Sequence, residues 1–165
     1  MSYKDYITEV PDFPEEGVNF KDISPLLADT DMFKKCITGM GMLINPLPDY
    51  WIGIDARGFI FASALSMIHG GGVVMCRKAG KLPPTVFSHS YKTEYSEDTI
   101  QIKQGSGTAV IVDDVLATGG TLEATNYLVK TAGYDVIDNL VLIDLLYVPR
   151  VKDFDLEVRS LIQYE

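Results

Sequence analysis

Residues Ala109, Val110, Ile111 and Val112 form an unbroken apolar run that ends on two adjacent carboxylates, Asp113 and Asp114. A run without polar alternation reads as a strand covered on both faces. Such strands belong to parallel sheets with helices above and below. The segment continues through Val115, Leu116, Ala117, Thr118, Gly119 and Gly120 into a predicted helix over 121–131, stopped by Gly133. The same alternation recurs along the chain. Strands are predicted at 50–54, 73–76, 99–103, within 136–146 and at 158–162, and a buried helix at 58–68. This order predicts an α/β fold with a central, mostly parallel sheet and helices on both faces.

The N-terminal part is less regular. Residues 2–10 read as a short amphipathic helix stopped by Pro11, followed by a turn-rich segment to Gly17. Asp31 is placed to cap a helix through Phe33, Ile37, Met40 and Leu43 that ends near Asn45-Pro46. Residues 78–90, with Gly80, Pro83 and Pro84, read as a loop. With 165 residues and 47% apolar content, the chain can bury one core without disulfides. Cys36 and Cys76 form no ligand or redox pair and read as reduced, buried thiols. No signal-like or membrane-spanning run is visible, so a cytoplasmic protein with no membrane partner is expected.

The net charge of −9 argues against extended nucleic acid as a partner. It is unevenly spread. Residues 56–93 hold Arg57, Arg77, Lys78, Lys81 and Lys92 and no acid, so that window carries +5 and the remainder −14. An anion suits the window.

Ala117, Thr118, Gly119, Gly120 and Thr121 join the carboxyl end of a strand to a helix N-terminus. Free N–H groups, glycines and hydroxyls there can cradle a phosphate with few cationic side chains. Asp113 and Asp114 would repel that phosphate and suit ribose hydroxyls or Mg²⁺, directly or through water. Acids beside an anion loop thus point to a ribose phosphate with a metal. Neither G-x-x-x-x-G-K-[ST] nor G-x-G-x-x-G is present, which weighs against a P-loop NTPase and a dinucleotide enzyme.

The acid pair with A-T-G-G-T resembles the phosphoribosyl diphosphate (PRPP) motif of the type I phosphoribosyltransferases. The pieces P-D-F-P at 11–14, G-V-N-F-K-D-I-S-P at 17–25, D-A-R-G-F at 55–59 and R-K-A-G-K-L-P at 77–83 resemble the adenine branch of that family. The resemblance spans nearly the whole chain. It implies the type I phosphoribosyltransferase fold in one domain over 1–165. Residues 1–30 would form a small hood for base recognition, and 78–97 a flexible lid. The implied reaction is adenine plus PRPP to AMP and diphosphate with Mg²⁺, in a homodimer.

By the same resemblance, 117–121 would hold the 5′-phosphate and Asp113 and Asp114 the ribose and metal. Arg57, Arg77, Lys78 and Lys81 would hold the diphosphate, with a cis peptide in the loop at 55–58. Asn19, Phe20 and Lys21 would recognise the base, with Leu145 as the opposite wall. Glu94 would be the general acid/base, supported by Tyr95. The sequence departs from the family pattern at Lys21 (often Arg), Asp144 (commonly Glu) and Ala62 (a Gly), and 96–108 is short. Two other readings stay open: a 6-oxopurine as the base, and a PRPP-sensing domain without turnover.

Overall fold

The computed structural model describes residues 2–93 and 96–165. The helix expected over 2–10 does not form. Ser2 caps one 3-10 turn, Tyr3–Tyr6, and the chain then enters β1 (Thr8–Val10), antiparallel to β2 (Phe20–Asp22). Pro11 leaves too few residues for a stable α-helix, and β-branched Thr8 and Val10 favour extended backbone. This hairpin lies within residues 1–30, the segment expected to form the hood. Helices α1 (Ser24–Ala28) and α2 (Thr30–Met42) follow. The cap of α2 is Asp29, not Asp31: the Met32 N–H donates to Asp29 Oδ1 at 2.8 Å. Asp31 instead sits in the first turn, where its charge complements the helix dipole.

The main sheet is built from β3 (Tyr50–Ile54), α3 (Gly58–His69), β4 (Gly72–Lys78), β5 (Phe87–Lys92), β6 (Glu97–Ile102), β7 (Thr108–Leu116), α4 (Gly120–Thr131), β8 (Asp135–Leu145) and β9 (Arg159–Tyr164). Its order is β5-β6-β4-β3-β7-β8-β9. The five strands from β4 to β9 are mutually parallel, and the antiparallel hairpin β5–β6 is added at the β4 edge. Part of the segment expected as loop is therefore strand. Phe87, His89 and Tyr91 alternate with Ser88, Ser90 and Lys92, and β5 pairs along its length from Phe87↔Ile102 to Lys92↔Glu97. β7 also outruns its apolar core. It carries Asp113 and Asp114 within the strand because β8 continues beside it, pairing Asp113↔Val141 and Leu116↔Asp144.

Side chains of β7 alternate between two cores. Val110 and Val112 join Trp51, Phe61 and Leu65 under α1, α2 and α3, while Ala109 and Ile111 join Leu122 and Leu128 under α4. The methyl of Ala62 fits because Gly53 faces it: a Cβ on Gly53 would lie 3.1 Å from the Ala62 Cβ. Among the described residues, no helix is long and apolar enough to cross a membrane.

The topology fixes where a ligand goes. From β3 the chain crosses through α3 to β4 on one side, and from β7 through α4 to β8 on the other. The two helices lie on opposite faces. A crevice must open between the carboxyl ends of β3 and β7, the usual ligand position in open parallel sheets.

Candidate active site

A cavity of about 420 Å³ occupies that crevice. The loop after β3 brings Ala56 and Arg57, and β4 brings Lys78. β7 brings Asp113 and Asp114, and the start of α4 brings Thr121. Asn19, Phe20 and Lys21 of the hood close one side, and Leu145 at the end of β8 closes another. A smaller hollow of about 120 Å³ shares Asp113, Ala117 and Thr121 with the cavity and adds Thr118 and Gly119.

The loop expected to cradle an anion is shaped by one glycine. Gly119 has φ +87°, and a Cβ there would meet the Phe154 ring at 2.5 Å. It is also the N-cap of α4, so the first N–H groups of that helix have no capping side chain. Gly120 opens α4 and borders a separate groove beside His89 and Tyr127. A second close approach locks the two loops together. A Cβ on Gly58 would lie 2.6 Å from the Val112 carbonyl oxygen and 3.4 Å from Asp113 Oδ1. The N-terminus of α3 therefore rests directly on β7. The Asp55–Ala56 peptide is cis.

The acids are poised for a ligand. Asp113 keeps an edge open to the cavity. Burial, and then the neighbouring Asp114 carboxylate, push it well above the usual carboxylate range. Asp114 is buried. Its Oδ2 makes no hydrogen bond, although Arg57 Nε stands 2.6 Å away in an ion pair. A buried oxygen without a hydrogen bond suits a ribose hydroxyl or a hydrated cation. Among the described residues, no three His, Cys, Asp or Glu side chains form a metal cage, so a cation here would share its ligands with substrate and water. Cys76 also lines the cavity, but burial pushes its thiol up to about 12, so it stays neutral.

The basic residues divide. The Arg57 guanidinium lies 5.4 Å from the Phe20 ring centroid, bridging the acids and the hood. Lys78 reaches the cavity wall, but Arg77 and Lys81 are not among its lining. Arg77 pairs with Asp55 at 3.4 Å and lies over Phe59, tying the ends of β3 and β4 together. Lys21 lines the cavity, yet its ammonium turns to Glu9 at 2.6 Å and lies 4.2 Å from the Tyr164 ring centroid. Glu94 and Tyr95 lie outside the described residues. Sequence reasoning assigned no role to two residues the structure brings in. Tyr91 lines the cavity, and its hydroxyl sits 3.1 Å from Thr121 Oγ1. Arg150 grips the carbonyl of Ala117. The period-two alternation of 87–92 was the available signal for Tyr91, while nothing local marks Arg150.

An acid pair within a central strand, followed at a switch point by a Gly-Gly loop with a helix N-terminus free of side-chain caps, has the chemistry to suit a phosphorylated sugar. The Phosphoribosyl transferase domain model matches residues 31–161. An adenine phosphoribosyltransferase of Rhodospirillum rubrum is 41% identical over 170 residues, covering 100% of this chain and 99% of its own. The crystal structure of adenine phosphoribosyltransferase from Thermoanaerobacter pseudethanolicus superposes with TM-score 0.90 at 38% identity, covering 98% of each chain. The Saccharomyces cerevisiae enzyme, solved with an imino-altritol bisphosphate and adenine, gives TM-score 0.89 at 29% identity over 96% of this chain and 95% of its own. The chain belongs to the adenine phosphoribosyltransferase family. The domain match begins after the hood, which the full-length relatives cover.

Proposed function

We propose that the chain transfers the 5-phosphoribosyl group of PRPP to adenine, forming AMP and diphosphate in purine salvage. The observation that carries this is the order of groups across one cavity: dipolar loop, acid pair, Arg57, then Phe20 of the hood. In this reading Ala117, Thr118, Gly119, Gly120 and Thr121 hold the 5′-phosphate, and Asp113 and Asp114 take the ribose hydroxyls. Arg57 and Lys78 face the diphosphate. Arg77 and Lys81 support that end, Arg77 through Asp55.

The C1–O bond to diphosphate breaks, the adenine ring nitrogen bonds to C1, and the nitrogen's proton leaves. Glu94 serves as the acid/base for that proton, and Tyr95 supports it. Phe20 and Leu145 form the walls of the base slot. The backbone of 19–21 can offer one N–H and one C=O to adenine, whose N1 accepts and N6 donates. Asp113 and Asp114 would hold Mg²⁺ together with PRPP and water, the Asp114 oxygen without a hydrogen bond fitting that role, and the ion would supply charge neutralisation for the leaving diphosphate.

A homodimer goes with this reading. Ile60, Met67 and Ile68 of α3 and Val73 and Met75 of β4 are exposed, beside the loop that carries Arg57. A cytoplasmic setting also goes with it, because Cys36 and Cys76 are free and buried. The deciding experiment supplies PRPP, Mg²⁺ and, in turn, adenine, hypoxanthine, guanine and xanthine. AMP forms from adenine, and the oxopurines give no nucleotide. Absence of AMP refutes the reading.

A further inference from the structure

The 5′-phosphate assignment depends on N–H groups of the anion loop facing the ligand, yet each peptide of that loop also carries a carbonyl that would repel it. Both nearby carbonyls are held elsewhere. Arg150 Nη1 donates to the Ala117 oxygen, and the Val151 N–H donates to the Thr118 oxygen at 2.8 Å. In a planar trans peptide the N–H points opposite to its carbonyl. Fixing these two oxygens therefore aims the N–H groups of Thr118 and Gly119 away from residues 150–154. Phe154 completes the contact by covering the α-carbon of Gly119.

The same guanidinium reaches the base wall. Arg150 Nη1 also donates to the Leu145 carbonyl at 3.1 Å, and Nη2 donates to the Asp144 carboxylate. Arg150 lies in part over the Phe154 ring at 6.0 Å. A planar fork with several donors can serve all these acceptors at once, which a Lys cannot.

The geometry points to residues 150–154 as a strap that orients the anion loop, with Arg150 as the positioning residue coupling the phosphate end of the site to Leu145 at the base end. Arg150 acts through Ala117 and Leu145 rather than on substrate. The inference rests on the assignment of 117–121 to the 5′-phosphate.

The test compares the wild type with Arg150→Gln by calorimetric titration of ribose 5-phosphate, PRPP kinetics and thermal melting. Expected are a ribose 5-phosphate Kd and a PRPP KM that rise together by about tenfold, with kcat within about threefold, because the phosphate is held equally before and during reaction. If Arg150→Gln does not fold, Asp144→Asn, which keeps the shape but releases Nη2, should move Kd and KM together by about threefold. An unchanged Kd in the folded variant overturns the strap, even with a lower Tm, as does a loss confined to kcat. A wild type that does not bind ribose 5-phosphate overturns the phosphate assignment itself, and the strap with it.

Discussion

Replacing Gly58 by Ala tests whether direct contact between α3 and β7 sets the geometry of the site. In an isolated helix the change would help by about 1 kcal/mol, since Gly is the poorer helix former. Here the new Cβ lands 2.6 Å from the Val112 carbonyl oxygen. Ordinary C···O contact begins near about 3.3 Å, so the helix end must retreat by about 0.7 Å. Overpacking of this kind costs about 1–3 kcal/mol, so the net change in stability is a loss of at most about 2 kcal/mol. The kinetic effect is expected to be larger. The retreat carries Ala56 and Arg57 away from Asp113 and Asp114, and a misplacement near 1 Å can cost about 100-fold in rate. Steady-state assays of AMP formation alongside thermal melts should show kcat/KM falling by roughly 10- to 100-fold while the protein stays folded. A folded Gly58→Ala enzyme with wild-type kcat/KM would refute the argument that this contact holds the two loops in register.

Other outcomes follow from the same geometry. Asp113→Asn with Asp114→Asn should reduce turnover by about 100-fold or more while raising Tm at neutral pH, because two neighbouring buried carboxylates no longer repel; a lower Tm contradicts the account. Since Asp113 is raised in the folded state, the unfolded chain loses this proton first as pH rises. Its contribution to stability is therefore full below the ordinary carboxylate value and falls until the raised value is passed. Asp113→Asn alone should remove that fall, seen as a Tm gap over wild type that widens with pH; a constant gap counts against it. Arg57→Ala should raise the PRPP KM by about 10- to 100-fold, the worth of a charge-assisted contact to phosphate, and an unchanged KM removes Arg57 from the diphosphate site. A chelator should abolish turnover without shifting the Tm of the free enzyme, since the described residues build no metal cage; a falling Tm would reveal a structural ion.

Where the sequence was legible, the signal was local and strong. The apolar run of 109–112, followed by acids and a Gly-Gly, specifies strand, turn and helix within a dozen residues, and the structure keeps that order with the strand running on to Leu116. Misreadings arose where partners distant in sequence decide. Residues 8–10 become strand because β2 lies beside them. Residues 87–92 become strand because β6 does, despite two prolines just upstream. Asp113 and Asp114 stay in a strand because β8 continues past them. Charge in the sequence does not say which acid each cation meets. Lys21 meets Glu9, Arg57 meets Asp114 and Arg77 meets Asp55, pairings that only the three-dimensional structure reveals. Arg150 lay beyond reach for the same reason: its acceptors at 117, 144, 145 and 148 meet only when the ends of β7 and β8 are adjacent.

The net charge of −9 ceases to be an obstacle to a polyanionic substrate once each charge is given a place. In the proposed arrangement the 5′-phosphate faces peptide dipoles, which need no lysine and contribute little to net charge. The diphosphate faces Arg57 and Lys78, from the acid-free window. Between the two anions the cavity places Asp113 and Asp114, where the ribose is neutral and its hydroxyls donate. A cavity of uniform positive charge would bind both phosphates but could not fix which lies at which end. In the proposed arrangement, keeping dipoles, acids and cations apart would set the direction of the substrate, and Arg57, 5.4 Å from the Phe20 ring centroid, would bring the bond to be broken near the base wall.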